Sequence, residues 1–225
     1  MTKNTKTLPR KIIALKNADK SFHEKWTATR DPLNLPHPVR GVFLGPPNTG
    51  KTTVIKNILL RAKPPYEEIF VVHADPEYTK EYDDLDCTML GEIPAPEEWE
   101  GEVKTCVILD DIEFSSLSKE QKKHLDRLFG YVSTHKNISV FLTSQQAFSV
   151  PTICRRCSNL FVIYKQPDVD SLKAIARKVG MKTDQFVDIF DNLLKVPTDS
   201  LWIDLTNKSP HPLRLNGYEM LERQK

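Results

Sequence analysis

The chain has 225 residues, 39% of them hydrophobic and 28% charged, which is enough apolar material for one full core and too much for an intrinsically disordered class. No apolar run approaches the ~20 residues of a bilayer-spanning helix, and the polar, basic start lacks the apolar stretch of a secretory leader, so a cytosolic address is expected. The net charge of +2 is uneven: residues 1–30 hold eight Lys/Arg against Asp19 and Glu24, which leaves the remainder at −4. The chain therefore reads as a basic arm, 1–36, on a mildly acidic domain, 37–225. Such an arm suits an anionic partner, nucleic acid or a membrane face; a solvated tail is the plainer alternative.

After Pro32, Pro36 and Pro38, the run Val39–Leu44 predicts a short strand. Gly45-Pro46-Pro47-Asn48-Thr49-Gly50-Lys51-Thr52 then fits G-x-x-x-x-G-K-[ST] at every fixed position, and Val54, Ile55, Ile58 and Leu59 follow at helical spacing. Strand, loop and helix in that order form the context in which the motif acts. The loop Gly45–Thr53 would meet a phosphate at a helix N-terminus through the backbone N–H groups of its non-proline residues, Lys51 would reach the β- and γ-phosphates of ATP, and Thr52 would hold Mg²⁺. A plain glycine turn with Lys-Thr behind it is the alternative, and it leaves the flanking pattern unexplained.

Glu68–His73 predicts a second strand, stopped by Ala74-Asp75-Pro76. Residues 76–102 are proline-rich and acidic, and read as solvated loop with one short strand near Thr88–Leu90. Thr105–Leu109 is continuously apolar, as in a strand covered on both faces, and it ends in Asp110-Asp111. About sixty residues after Lys51, Asp110 has the placement of a Walker B aspartate that holds Mg²⁺ through water. Asp111 points elsewhere and is the candidate general base for an attacking water; a turn or capping Asp pair is the alternative.

Ser118-Lys119-Glu120-Gln121 fits a capping box, and the helix after it stripes Gln121, Leu125, Leu128, Phe129 and Val132 against Lys122, Lys123, Asp126 and Arg127. The next strand, Ile138–Thr143, leads to Ser144-Gln145-Gln146. An amide at Gln145 can accept from water and donate to a γ-phosphate, and so can sense which is present, unless it is a surface glutamine. Pro151 opens a short helical turn carrying Arg155 and Arg156, candidates for an arginine finger completing a neighbouring subunit's site, with Arg127 a weaker one. Surface ion pairs or DNA phosphate contacts would equally use these arginines. Cys154 and Cys157 form one C-x-x-C without the second pair that a zinc site needs, and the four cysteines are expected as buried or idle thiols rather than disulfides. Leu160–Tyr164 predicts a strand. Leu172, Ile175, Ala176 and Val179 stripe one helix, and Phe186, Ile189, Phe190, Leu193 and Leu194 the next; Leu201–Leu205 and Pro212–Leu215 read as a terminal strand pair.

Strands alternating with helices predict an α/β fold with a mainly parallel sheet flanked by helices and a short C-terminal strand pair; with the Gly45–Thr52 loop on it, the arrangement resembles a P-loop NTPase of RecA/ASCE-like type. Loops at the carboxyl ends of parallel strands converge on one crevice, which would bring the P-loop, Asp75, Asp110-Asp111 and Gln145 to a single edge.

Gly45–Thr52, Val107–Asp111 and the run Thr143-Ser144-Gln145 to Pro151-Thr152-Ile153-Cys154-Arg155 together resemble the viral genome-packaging ATPases. These belong to the FtsK/HerA-like P-loop group, in the poxvirus and tectivirus-type branch, which has a third motif of a strand ending in Gln, then a Pro, then an Arg. Here Gln145, Pro151 and Arg155 fall on it. Asp111 departs from the pattern, standing where many relatives of the wider superfamily carry Glu. The resemblance covers about residues 39–165 and implies an ATP hydrolase with Mg²⁺, assembled as a homo-oligomeric ring, a hexamer, that threads double-stranded DNA into a preformed capsid. It further implies work in the host cytoplasm and at the packaging vertex of the virion, beside capsid and internal membrane proteins. The basic arm is the segment available to touch DNA, capsid or membrane.

Two rivals share the P-loop. A nucleotide or nucleoside kinase would transfer phosphate to a small acceptor, and would want an arginine-rich lid and an acceptor pocket that the sequence does not display. A nucleotide-gated assembly switch on capsid or membrane would use ATP to order a ring without moving DNA. A plasmid-transfer or chromosome pump fits the motifs too, but usually carries further domains.

Overall fold

The computed structural model describes Arg30 and residues 33–165, 169–206 and 212–221. Most of the basic arm therefore lies outside the described residues, including its apolar patch Ile12-Ile13-Ala14-Leu15. Of the arm's last residues, Leu35 is buried in the core and Arg30 pairs with Asp204.

The strands are β1 (Arg40–Leu44), β2 (Glu68–Val72), β3 (Thr88–Leu90), β4 (Thr105–Leu109), β5 (Ser139–Ser144), β6 (Leu160–Tyr164), β7 (Ser200–Asp204), β8 (Leu213–Leu215) and β9 (Glu219–Met220). The helices are α1 (Lys51–Arg61), α2 (Lys119–Arg127), α3 (Thr152–Cys157), α4 (Val169–Lys178) and α5 (Thr183–Leu193). Among the described residues the strands form one nine-stranded sheet in the order β3-β2-β4-β5-β1-β6-β7-β8-β9. From β3 to β6 every pairing is parallel, and from β6 to β9 every pairing is antiparallel.

Side chains alternate across this sheet and supply two apolar layers. Val42, Leu44, Val107, Leu109, Val140 and Leu142 face one side, where α2 with the turn that follows it, α4 and α5 cover them with Leu125, Phe129, Leu172, Ile175, Phe186 and Phe190. Phe43, Cys106, Ile108, Phe141 and Val162 face the other, covered by Ile55, Ile58 and Leu59 of α1. β4 and β5 are each buried along their whole length, which is why β4 reads as a continuous apolar run rather than an alternating one.

Two features differ from the sequence reading. The helix begun by α2 passes through a π-helical turn, Leu128–Val132, before a last turn at Ser133–His135. That wider turn lets the adjacent pairs Leu128-Phe129 and Val132-Ser133 all face inward. At the C-terminal end the expected strand pair is a three-stranded extension of the main sheet, entered through β6 and β7. Its last turn uses Asn216 (φ 53°) and Gly217 (φ 82°), the left-handed pattern favoured by an Asn-Gly hairpin. Any side chain at 217 would meet the Trp202 ring at 2.9 Å, so the turn closes only with glycine there.

Candidate nucleotide and magnesium site

The register of three neighbouring strands builds the site. Leu44 of β1 stands opposite Ser144 of β5, and Leu142 of β5 opposite Leu109 of β4. The residues that follow β1 and β4, Gly45 and Asp110, therefore emerge level with Thr143 and Ser144 at the end of β5. A cleft of about 570 Å³ opens above them, in the range of small-ligand sites. Pro47, Asn48, Gly50, Lys51, Thr52 and Thr53 line it, together with Asp110, Asp111, Thr143 and Gln145.

The loop from Gly45 to Gly50 is held from below. Gly45 N–H donates to the Ser144 carbonyl at 3.1 Å, and the Tyr164 hydroxyl donates to the Gly50 carbonyl at 3.1 Å. A Cβ on Gly45 would lie 2.6 Å from the Tyr164 Cβ, so only glycine lets the loop sit on this ring. Asn48 (φ 60°) and Gly50 (φ 95°) turn the backbone into the left-handed region just ahead of α1. No side chain caps that helix and no acidic residue occupies its first turn, and the first backbone bond runs from Val54 N–H to Gly50 O. The amides of Lys51, Thr52 and Thr53 are thus offered to an anion at a positive helix end. Lys51 Nζ lies over the loop, donating to the carbonyls of Gly45 and Pro46 at 2.9 Å each. Burial lowers its pKa, and Asp111 and Asp110 oppose the shift by favouring the charged form.

Asp110 is buried, yet among the described residues no cationic side chain pairs with it. Its carboxylate is held instead by two hydroxyls: Tyr82 donates to Oδ2 at 2.8 Å and Thr143 to Oδ1 at 2.7 Å. Buried carboxylates ordinarily require a cation partner. An anion oriented by neutral donors, with Thr52 lining the same cleft, fits a magnesium ion bound together with nucleotide phosphates. Thr52 and Asp110 are the residues that would hold it.

Asp111 leaves the strand with φ 51°, a strained value for a non-glycine residue, and its N–H donates to Thr143 Oγ1 at 2.9 Å. This backbone turn sends its side chain away from Asp110 and towards solvent, where Gln145 Nε2 approaches Asp111 Oδ2 at 3.5 Å. The candidate base and the candidate phosphate sensor thus stand side by side at the mouth of the cleft.

Other sequence-chosen residues lie elsewhere. Asp75 is exposed in the turn after β2, its carbonyl accepting from the Tyr78 and Thr79 amides, and does not line the cleft. His73, two residues earlier, does. Arg155 and Arg156 on α3 border a separate cavity of about 190 Å³ floored by Ala147, Phe161 and Ile175, with Lys178 beside them. Within one chain they do not reach the phosphate loop. Arg127 lies on the exposed face of α2 beside Lys119 and Lys123, also outside the cleft. Cys154 is in the core and Cys157 half-buried, and no metal-binding group of three or more His, Cys, Asp or Glu occurs among the described residues.

The sequence reading missed the second wall of the cleft, made by His73, Tyr78, Thr79, Lys80 and Glu81. It also missed Tyr82, which lies in a stretch read as solvated acidic loop; an aromatic among charges was its only signal. The roles of Thr143 and Tyr164 were masked because both sit inside apolar strand patterns.

Sheet order and site together define a P-loop NTPase fold. No family model matches the chain, and no curated protein sequence matches it. Solved structures do. The genome-packaging NTPase B204 of Sulfolobus turreted icosahedral virus 2, in complex with AMPPCP, superposes with a TM-score of 0.58 at 14% identity, over 80% of this chain and 96% of that one. The DNA-packaging ATPase B204 of Sulfolobus turreted icosahedral virus gives 0.57 at 14% identity, over 79% and 97%. The pCW3 conjugation coupling protein TcpA, as a monomer with ATPγS, gives 0.53 at 15% identity, over 81% of this chain and 60% of that one. The chain shares its fold with these proteins across most of its length.

Proposed function

We propose that the protein is a Mg²⁺-dependent ATP hydrolase whose turnover, coordinated around a ring of identical copies, drives double-stranded viral DNA into a preformed capsid. The observation that carries this reading is the meeting, at three adjacent strand ends, of an uncapped phosphate loop, a buried carboxylate held by two hydroxyls, and an amide beside a second carboxylate. The loop would bind the triphosphate, Thr52 and Asp110 the metal; Asp111 would orient water and Gln145 would sense the γ-phosphate. The fold likeness to a DNA-packaging ATPase and a conjugation coupling protein supports the coupling to DNA. The ring, taken as a hexamer, would act in the host cytoplasm and at the capsid vertex, beside capsid and internal membrane proteins, with the basic arm turned towards an anionic partner.

The test is phosphate release with and without duplex DNA, run beside particle sizing with a non-hydrolysable analogue. Stimulation by DNA and a nucleotide-stabilised ring are expected. A phosphorylated nucleotide as product would establish the kinase, and turnover indifferent to DNA the assembly switch. Arg155 stands outside its own chain's cleft, as an arginine acting across a subunit boundary requires. Mixing Arg155→Ala with Lys51→Ala subunits is expected to restore part of the turnover; mixed rings with none would remove Arg155 from the mechanism.

A further inference from the structure

Tyr82 is the one buried ring from the segment after β2 that reaches the phosphate loop's own chemistry. Its side chain is buried with Val71, Ile108 and Ile55 under α1, and its hydroxyl donates to Asp110 Oδ2 at 2.8 Å. A phenol is protonated at neutral pH, so towards a carboxylate it acts as a donor.

The donors converge on one carboxylate. Tyr82 donates to Asp110 Oδ2 and Thr143 to Asp110 Oδ1, and the Asp111 amide donates to Thr143 in turn. Asp110, fixed at both oxygens, keeps the further lone pairs that a metal-bound water needs. Lys56 of α1 fastens the segment in place, donating to the Glu81 carbonyl at 2.9 Å and pairing with Asp84.

We propose that Tyr82 is a positioning residue for the magnesium site, a buried phenol that holds the carboxylate of Asp110 in place for the cation. This rests on the nucleotide-binding reading above and extends it to a residue outside every motif of the sequence. It is a general expectation that groups behind metal ligands tune affinity, by roughly 10–100-fold on removal.

The experiment is a binding titration, independent of turnover. A fluorescent non-hydrolysable ATP analogue is titrated into the full chain, wild type and Tyr82→Phe, without metal and across a Mg²⁺ series. Phenylalanine keeps the buried ring, and a thermal melt checks the fold. Tyr82→Phe is expected to bind the metal-free analogue as the wild type does, and to need roughly tenfold or more Mg²⁺ for half of the metal-induced gain. Mn²⁺ titration followed by its paramagnetic resonance should show the same displacement. An unchanged Mg²⁺ midpoint in a folded Tyr82→Phe would overturn the proposal and leave Tyr82 as core packing. A wild type whose analogue binding ignores Mg²⁺ altogether would overturn it together with the functional reading, which separates the two failures.

Discussion

On one side of the cleft, Gly45, Asp110 and Thr143 stand at the ends of β1, β4 and β5, and parallel pairing through Leu44–Ser144 and Leu109–Leu142 leaves them no other place. On the other side, Thr79, Lys80 and Glu81 reach the same space through a succession of turns, closed by amide-to-carbonyl bonds such as Thr79 to Asp75 and Leu85 to Tyr82. The first wall is set by a ladder that also holds the core together. The second is set by a few side chains, Tyr82, Leu85 and Cys87 packed into the layer under α1, with Lys56 outside them. Under the proposed function, chemistry that must not move would be on the ladder, and the adjustable surroundings of the ligand on the turns. Changes in the first wall should therefore remove reaction, and changes in the second should shift binding.

The largest expected effect is from Lys51→Ala. Removing a preorganised donor to developing charge typically costs ~10²–10³ in rate, and a loss of that size in steady-state phosphate release is expected. The thermal midpoint should hardly change, since Lys51 gives up only its bonds to the Gly45 and Pro46 carbonyls. A variant retaining more than about a tenth of wild-type turnover would break the assignment of the strand wall to chemistry.

Thr143→Val is the sharper probe, because it removes a hydroxyl and keeps the shape. Thr143 is buried, donates to Asp110 Oδ1 and accepts from the Asp111 amide, so valine leaves both partners unsatisfied. A buried polar group without its partner costs ~1–3 kcal/mol, and denaturant unfolding should register a loss in that range. Turnover should fall as well, with Asp110 then held from the Tyr82 side alone. Full stability would mean that Asp110 and Asp111 are fixed by the turn wall, reversing the comparison.

The same contrast explains what could be read from the chain alone. The parallel sheet, its helices and the meeting of Gly45–Thr52 with Asp110 and Gln145 were legible, because apolar runs, the glycine-lysine motif and strand-end carboxylates are local patterns whose placement follows from topology. Asp75 was placed in the crevice by the same rule, but the rule says where a strand ends and not which way the next turn points; His73 lines the cleft instead. Tyr82 was illegible because its role comes from packing against residues far along the chain, and a stretch of Glu and Asp around it looks the same in solvent as over an active site. The third C-terminal strand was within reach: Asn216-Gly217 between Leu215 and Tyr218 is a hairpin signal, outweighed by the shortness of β9. The distance of Arg155 from its own chain's cleft was beyond any pattern, since it depends on α3 packing on the sheet face opposite α1.

The smallest effect is expected at Lys56, and it is the cleanest test of the turn wall. Lys56 donates to the Glu81 carbonyl and pairs with Asp84, whose carboxylate is exposed, so the pair is screened by solvent and worth little to folding. Hydrogen bonding to Lys56 holds the Asp84 carboxyl below its usual range, which marks the pairing without making it strong. Lys56→Met keeps most of the stem that lies along α1 and removes the charge. Metal-loaded analogue binding should weaken by about twofold, with turnover at saturating nucleotide and the thermal midpoint nearly unchanged. In high salt the wild type should approach the variant, because an exposed pair is screened within a Debye length of a few ångströms near 1 M. If Lys56→Met instead lowered turnover at saturation as far as Thr143→Val does, the turns would be part of the reacting frame, and the division between a fixed wall and an adjustable one would not hold.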